Sequence, residues 1–271
     1  MKTQNPIEAK LVELRANDIT GLMTHVVLGY PTTIESERLI RLMASSGVDF
    51  IELQIPFSDP LADGSTIMRA CELSLEQGFR VNQAFEIAKR LSKDTRVPLI
   101  FMAYFNTVYK YGVENFCRRA KEVGISGLIV PDMPIEEESS EHFAKYCKIY
   151  GLCNIRVISP VSTHKRLLEN SKVTSGFIYC TARQGVTGAQ KKIDSEVFKF
   201  LGKLRQYFTV PIAVGFGVSS SEHVLLLSKY CDVVVVGSAL INVIDDSKMD
   251  DLYKNVKQFI KSLQTGGDGY E

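Results

Sequence analysis

Three carboxylates, Glu52, Asp59 and Asp63, and a polar amide, Gln54, lie close together in residues 50–66, FIELQIPFSDPLADGST. Glu52 lies within an apolar strand pattern, and Asp63 follows in the polar turn segment that begins after Pro56. Because side chains alternate across a strand, Glu52 and Gln54 share one face. A buried carboxylate is costly unless it is paired, protonated or in a wet site. The pattern therefore indicates either a structural glutamate bonded to a neighbouring strand or an acid–base group at a functional site.

Elements that would position these residues alternate along the chain. The apolar runs predict eight strands, at residues 22–28, 50–55, 97–104, 126–130, 153–158, 175–181, 210–214 and 231–236. Helical spacing is predicted at residues 6–16, 33–46, 65–77, 82–92, 113–123, 135–150, 163–170, 194–206 and 220–229, with the last helices reaching about residue 263. The strands are continuous apolar runs, which is typical of a parallel sheet covered on both faces.

Eight strands that are each followed by helix predict an α/β fold, a (β/α)8 TIM barrel with an extra N-terminal helix. A doubly wound open sheet is the alternative, but no GxGxxG follows the first strand and no Walker A motif is present. No Pro/Ser-rich linker divides the chain, so we expect one domain over residues 1–271, with a disordered tail from about residue 264.

Composition excludes several classes of function. Lys and Arg number 32 against 31 for Asp and Glu, so the net charge of +1 gives no support for binding nucleic acid or an acidic membrane. No apolar run is long enough to span a membrane, and no signal-peptide core is present. The six cysteines form no CxxC pair, and neither they nor the four histidines show metal-ligand spacing. These features predict a cytoplasmic protein with no metal site.

In a (β/α)8 barrel the reacting groups lie at the C-terminal ends of the strands. A frequent phosphate site in this fold uses the loops after strands seven and eight, where Phe216-Gly217 and Gly237-Ser238 fall. Glycine lets backbone N–H groups approach an anion, and a helix N-terminus adds partial positive charge. The alternative is that these glycines only make tight turns. The glycine-rich segment 181–189 is either a loop that closes over a ligand or an ordinary connection.

Five ordered blocks resemble those of the tryptophan synthase alpha chain family. They are IPFSDPLADG at residues 55–64, VPDMP at 130–134, the RxGVTG pattern at 183–188, AVGFGV at 213–218 and VVGSALI at 235–241. The resemblance covers about residues 22–256. It implies a barrel lyase that cleaves indole-3-glycerol phosphate to indole and glyceraldehyde 3-phosphate by a retro-aldol reaction, in the last steps of L-tryptophan biosynthesis. A different phosphate-sugar barrel enzyme, such as a relative of the phosphoribosyl isomerases, is disfavoured by the blocks around Glu52 and Asp63.

The resemblance also implies roles for individual residues. Glu52 matches the family's catalytic acid–base glutamate, which protonates indole C3 and helps deprotonate the glycerol hydroxyl, and Asp63 matches the aspartate that binds the indole N–H. Thr187 matches a loop threonine that orders Asp63 on closure. The positions matched to substrate binding are Tyr104, Tyr179, Thr187, Gly188, Phe216, Gly217, Gly237 and Ser238.

Simple electrostatics agrees with this division of work. Partial burial in an apolar strand favours a carboxylic acid able to protonate carbon. A second carboxylate in a polar loop can stay ionised and stabilise positive charge that develops on the indole nitrogen. No metal or organic cofactor is needed for this chemistry, so none is expected in this chain.

Two residues depart from the family pattern. Gln54 stands where the family has glycine, and three placements are open for it: bonded to Glu52, crowding the indole, or at a subunit interface. His25 stands where an apolar aromatic residue is common near the indole. These departures sustain an alternative function, a catalytically weak alpha-type subunit that acts mainly as an allosteric activator.

The resemblance implies a protein partner. The family's usual partner is a beta chain that uses pyridoxal phosphate, and indole passes between the two active sites through a tunnel. An α2β2 heterotetramer is therefore expected, with its contacts built largely from loops at the barrel mouth.

Overall fold

The computed structural model describes residues 4–181, 195–215 and 217–264, and in these ranges nine parallel strands form one sheet. The strands are β1 Gly21–Val27, β2 Phe50–Gln54, β3 Leu99–Met102, β4 Gly127–Ile129, β5 Cys153–Ile155, β6 Val157–Ile158, β7 Ile178–Thr181, β8 Ile212–Gly215 and β9 Val233–Val236. Their order is β5-β4-β3-β2-β1-β9-β8-β7-β6, so the two edges of the sheet are consecutive strands.

A single residue, Arg156, separates those two edge strands and brings the barrel to near closure. The predicted fifth strand is thus present but changes partner at this residue, because β5 pairs with β4 whereas β6 pairs with β7. The buried Arg156 guanidinium donates to the Asn170 side chain at 2.7 Å and to the Met133 carbonyl at 2.8 Å. The predicted (β/α)8 barrel is confirmed.

Helices follow the strands around the barrel. They are α1 Pro6–Ala16, α2 Thr33–Ser45, α3 Ser65–Glu76, α4 Val81–Asp94, α5 Phe105–Tyr111, α6 Val113–Glu122, α7 Glu138–Glu141, α8 Phe143–Tyr150, α9 His164–Val173, α10 Ser195–Leu204, α11 Ser221–Ser228, α12 Ser238–Asp246 and α13 Leu252–Gln264, with a 3-10 turn at Ile135–Glu137. Within the described ranges, no helix combines the length and apolar character needed to cross a membrane.

Two helix predictions need correction. The helix predicted at 135–150 is broken, because His142 adopts a left-handed conformation (φ 57°) between α7 and α8. Helix α5 was not predicted, and it begins where the Asp132 carboxylate accepts a hydrogen bond from the Phe105 N–H at 2.7 Å. The tail predicted from about residue 264 falls on residues 265–271, outside the described residues.

The extra N-terminal helix is confirmed, and it covers the end of the barrel where the strands begin. Ile7, Leu11 and Leu14 of α1 are buried with interior strand residues such as Phe50. Gly127 allows this close approach, because a Cβ there would lie 2.7 Å from Ile7 Cδ1. The closed bottom leaves the opposite end, where the strands finish, for the site.

The two faces of β2 divide as the alternation predicts. Ile51, Leu53 and Ile55 pack in the apolar layer between sheet and helices, whereas Phe50 belongs to the barrel interior. Glu52 and Gln54, in step with Phe50, therefore face inward as well. All six cysteines are buried and free.

Candidate active site

Glu52 is paired with His25 on the neighbouring strand. The register of β1 and β2 sets the two residues side by side, and His25 Nδ1 lies 3.1 Å from Glu52 Oε1. Both residues are buried, with 4% and 2% of their surfaces exposed. Glu52 Oε2 and His25 Nε2 find no hydrogen-bond partner among the described residues. The pair thus has polar atoms free for a ligand in the barrel interior.

Asp63 is held by two donors. The Gln54 amide donates to Asp63 Oδ2 at 2.6 Å, and the Tyr104 hydroxyl donates to the same oxygen at 2.9 Å. Of the three placements open for Gln54, the bond to Glu52 is not the one formed, because the Gln54 amide is bonded to Asp63. Gln54 Oε1 has no partner in the described part of the chain.

Tyr104 fixes the loop that carries Asp63. Its hydroxyl oxygen accepts the Ala62 N–H at 2.9 Å, and its ring stacks on Phe57 with centroids 5.1 Å apart. Tyr104 is 1% exposed. Its interactions in the structure are therefore with the loop itself. Phe57, which the sequence analysis did not single out, is an aromatic residue within the IPFSDPLADG block.

Burial and charge shift the proton affinities of this group of residues. Burial lowers the pKa of His25, but the charge and hydrogen bond of Glu52, aided by the charge of Asp63, outweigh it, and the net pKa is raised above 6.5. Burial raises the pKa of Asp63 although His25, Gln54 and Tyr104 oppose that rise. The charges of Glu52 and Asp63 therefore both influence the proton affinity of His25 in the barrel interior.

Tyr179 of β7 is also influenced by Glu52 and Asp63. Burial, with smaller contributions from the charges of Glu52 and Asp63, raises its pKa well above 10.0. Its hydroxyl packs against the end of β8, since a Cβ on Gly215 would lie 2.7 Å from that oxygen. The absence of a side chain at Gly215 therefore leaves room for the tyrosine.

The two predicted phosphate-binding turns leave adjacent strands. Val214 of β8 pairs with Val234 of β9, so Gly217 and Gly237 each lie three residues beyond one register pair. Gly217 has a φ of 64°, a conformation that favours glycine. Gly237 precedes α12, whose first residue is Ser238, and a Cβ on Gly237 would lie 3.4 Å from His25 Cβ. Of the anion-binding candidates, Gly237 thus lies beside His25.

Some predicted positions remain unplaced or have structural roles. Thr187, Gly188 and Phe216 lie outside the described residues. Asp132, which follows the fourth strand, caps the start of α5. Among the described residues, no group of three or more His, Cys, Asp or Glu side chains could hold a metal ion.

The fold and this group of residues define a (β/α)8-barrel enzyme with two carboxylates and a glycine-lined turn pair at the C-terminal end of its strands. Comparison with known proteins names the family. The family model described as tryptophan synthase alpha chain matches residues 11–267, and the chain belongs to this family. The family comprises lyases that cleave indole-3-glycerol phosphate to indole and glyceraldehyde 3-phosphate in tryptophan biosynthesis.

Individual relatives cover nearly the whole chain. The tryptophan synthase alpha chain of Desulfotalea psychrophila is 42% identical over 258 residues, spanning 95% of this chain and 99% of that protein. Among solved structures, the alpha subunit from Legionella pneumophila has a TM-score of 0.90 at 28% identity, covering 99% of this chain and 100% of that one. A chain of Mycobacterium tuberculosis tryptophan synthase has a TM-score of 0.88 at 30% identity, covering 97% and 98%.

Proposed function

We propose that Glu52 is the acid–base group of the lyase reaction in this chain. The observation that carries the proposal is the pairing of an almost fully buried Glu52, inside the barrel, with the buried His25 imidazole, whose Nδ1 lies 3.1 Å away. One carboxyl can protonate indole C3 and accept the proton of the hydroxyl on the carbon attached to the ring. The carbon–carbon bond electrons return to the indole ring, so the reaction consumes no net proton.

Asp63 binds the indole N–H in this proposal. Its carboxylate accepts from the Tyr104 hydroxyl, which fixes its orientation. A positioned carboxylate stabilises the positive charge that develops on the indole nitrogen when C3 is protonated. Tyr104 orients Asp63, and Tyr179 lines the substrate site between them and β8.

The substrate phosphate binds at Gly217, Gly237 and Ser238, with Gly188, Thr187 and Phe216 completing the substrate site. Support comes from the adjacent strand ends of β8 and β9 and from the N-terminus of α12. Binding a remote phosphate holds the reacting carbon near the carboxylates, which contributes to the rate by positioning.

The chain acts as one catalytic domain over residues 1–271 and brings no cofactor of its own, because acid–base chemistry at two carboxylates suffices for this cleavage. Six free buried thiols are consistent with a cytoplasmic location.

We propose a beta chain as the partner of this chain in an α2β2 heterotetramer, with pyridoxal phosphate in the beta chain only. Support comes from the likeness to a chain of Mycobacterium tuberculosis tryptophan synthase. Gel filtration with the cognate beta chain is expected to give one complex; two separate peaks at micromolar concentration would contradict it.

Indole release from indole-3-glycerol phosphate tests the assignment. The full chain with its beta chain is expected to release indole, and Glu52→Gln is expected to lower kcat by about 10²- to 10⁴-fold, the usual contribution of a general acid or base. Circular dichroism checks that the variant is folded. A folded variant with near-normal turnover would remove Glu52 from this role.

A second function is favoured by one observation, namely that Glu52 and Asp63 each already have a side-chain partner, His25 and Gln54, that departs from the family pattern. A chain with both carboxylates occupied would turn over slowly and act mainly as an allosteric activator of the beta chain. Two measurements separate the functions. Indole formation by the complex supports the lyase, whereas stimulation of the beta chain's own reaction without indole formation supports the activator.

A further inference from the structure

His25 is the buried titratable residue for which the lyase proposal gives no role. It lies at the middle of an interior strand, directly beside Glu52 in the sheet register. A neutral imidazole could satisfy its polar atoms through the backbone or water, but Nδ1 here is directed to Glu52 Oε1. The opposite ring nitrogen is buried without a partner among the described residues. An ionisable ring buried in this way is costly unless its proton is shared with a neighbour.

We propose that His25 is a positioning residue that shares one proton with Glu52 and so sets the pH range in which the lyase can work. This inference rests on the proposed function of Glu52 and extends it. Its support is geometric: the 3.1 Å contact, the burial of both side chains and the single free oxygen left on Glu52.

The shared proton gives the reaction a closed cycle. The pair begins with one proton between Nδ1 and Oε1, and Glu52 passes this proton to indole C3. The pair, now a neutral imidazole beside a carboxylate, then takes the proton from the substrate hydroxyl as the carbon–carbon bond breaks. The pair ends with one proton again, so no outside acid, base or redox partner is required.

The pH dependence follows from the groups that face His25. These are Glu52 and Gln54 from β2, Asp63 from the following loop and, around the two carboxylates, Tyr104 and Tyr179. From the start of α12 the neighbour is Gly237, whose backbone carries only the partial positive charge of the helix N-terminus. The pKa of His25 is raised above its usual value, so the pair keeps its proton to higher pH than an ordinary histidine and loses it as pH rises through that raised value. Activity is therefore expected to fall on the alkaline side as the proton is lost.

Histidine NMR tests the pair without relying on activity. In the full chain labelled at its four histidines, His25→Asn is expected to remove one imidazole signal and so assign it. That signal should stay protonated to higher pH than an ordinary histidine. In Glu52→Gln the transition should move down by at least about one pH unit, because the carboxylate charge that holds the proton is gone. An unchanged transition in Glu52→Gln overturns the proposal. If His25→Asn does not fold, substituting the other three histidines assigns the signal by elimination.

Kinetics on the complex with the beta chain supply the second test. His25→Asn is expected to lower kcat about 10- to 100-fold, to change KM less than about threefold, and to remove the alkaline limb of the profile. The matched control is His142→Asn, the same substitution at an exposed position whose left-handed backbone suits asparagine. An alkaline limb that is unchanged in His25→Asn overturns the proposal. If indole is not formed by any form of the chain, the lyase assignment fails, and the NMR transition still decides whether the proton is shared.

Discussion

At the scale of single residues, the two carboxylates of the site differ in what holds them. Glu52 has an ionisable partner, whereas Asp63 has two neutral donors, Gln54 and Tyr104. A proton can therefore move within the first group, while the second group keeps a fixed hydrogen-bond pattern. This difference separates the acid–base role proposed for Glu52 from the charge-stabilising role proposed for Asp63.

Replacing Gln54 tests what its amide does to Asp63. Gln54→Gly removes a 2.6 Å donor to Oδ2, which frees an acceptor for the indole N–H. We expect kcat/KM for indole-3-glycerol phosphate to rise about tenfold, since a hydrogen bond to a charged group contributes about 1.5–3 kcal/mol. Gln54→Ala is the control that removes the same amide without adding backbone freedom. A fall in kcat/KM in both variants would mean that Gln54 assists the reaction by orienting Asp63.

His25 also links pH to folding. Its pKa is raised in the folded chain, so the stabilisation it gives is fully present below the unfolded value near 6.5 and is lost as pH rises through the folded value. The free energy of unfolding of the wild type should therefore fall more between about pH 6 and pH 9 than that of His25→Asn. Urea unfolding at both pH values measures this difference. If the free energy of unfolding changes equally with pH in the two proteins, His25 takes up no extra proton on folding.

Strand alternation predicted that Glu52 and Gln54 share one face, because that periodicity is local. The partners of these side chains were not predictable, since they depend on the register between β1 and β2 and on the path of the loop after β2. The Gln54–Asp63 hydrogen bond is therefore seen in the structure and could not be predicted from the sequence. The roles of all the predicted site residues stay predictions, and Thr187, Gly188 and Phe216 also lie outside the described residues.

At the scale of elements, the contact between β7 and β8 depends on Gly215. A Cβ there would lie 2.7 Å from the Tyr179 hydroxyl and 3.2 Å from its ring carbons, so Gly215→Ala must displace the ring. Because misplacing a site residue by about 1 Å can cost about 100-fold, we expect kcat/KM to fall about 10- to 100-fold. Steady-state indole assays measure the loss.

The matched control is Gly202→Ala in α10, where a Cβ would meet nothing within 4 Å. This control should leave activity unchanged and raise stability by about 0.5–1 kcal/mol, since alanine favours a helix interior over glycine. Equal activity losses in the two alanine variants would show that the contact with Tyr179 is not the cause.

Elements with a strong local signal were predicted, and those decided by tertiary contacts were not. The barrel strands are continuous apolar runs, which predict a parallel sheet covered on both faces. Helix α5 was missed because its start depends on a hydrogen bond to Asp132, which lies in the segment after β4. The break at His142 was missed because the residues on both sides keep helical spacing.

At the scale of the whole molecule, the barrel is closed at one end by α1 and carries the site at the other. Ile7→Ala leaves a cavity beneath Gly127 and should lower the free energy of unfolding by about 2–5 kcal/mol. Val12→Ala on the same helix is the control, because Val12 is 61% exposed and the change should stay within about 0.5 kcal/mol. Denaturant unfolding measures both.

Indole assays at low temperature should show wild-type kcat for both helix variants, since α1 lies at the end of the barrel away from the carboxylates. A loss of kcat in folded Ile7→Ala would show instead that packing at the closed end is transmitted to the site.

The six buried thiols can report transient opening of the native structure, because they react only when they become exposed. Burial raises the pKa of Cys71, Cys153 and Cys231 to about 12, so these sulfurs are protonated as well as inaccessible in the native state. Alkylation by a small electrophile should therefore proceed only through transient exposure. A substrate analogue that binds the native barrel would slow this labelling in proportion to its occupancy, and mass spectrometry could read its affinity without any turnover.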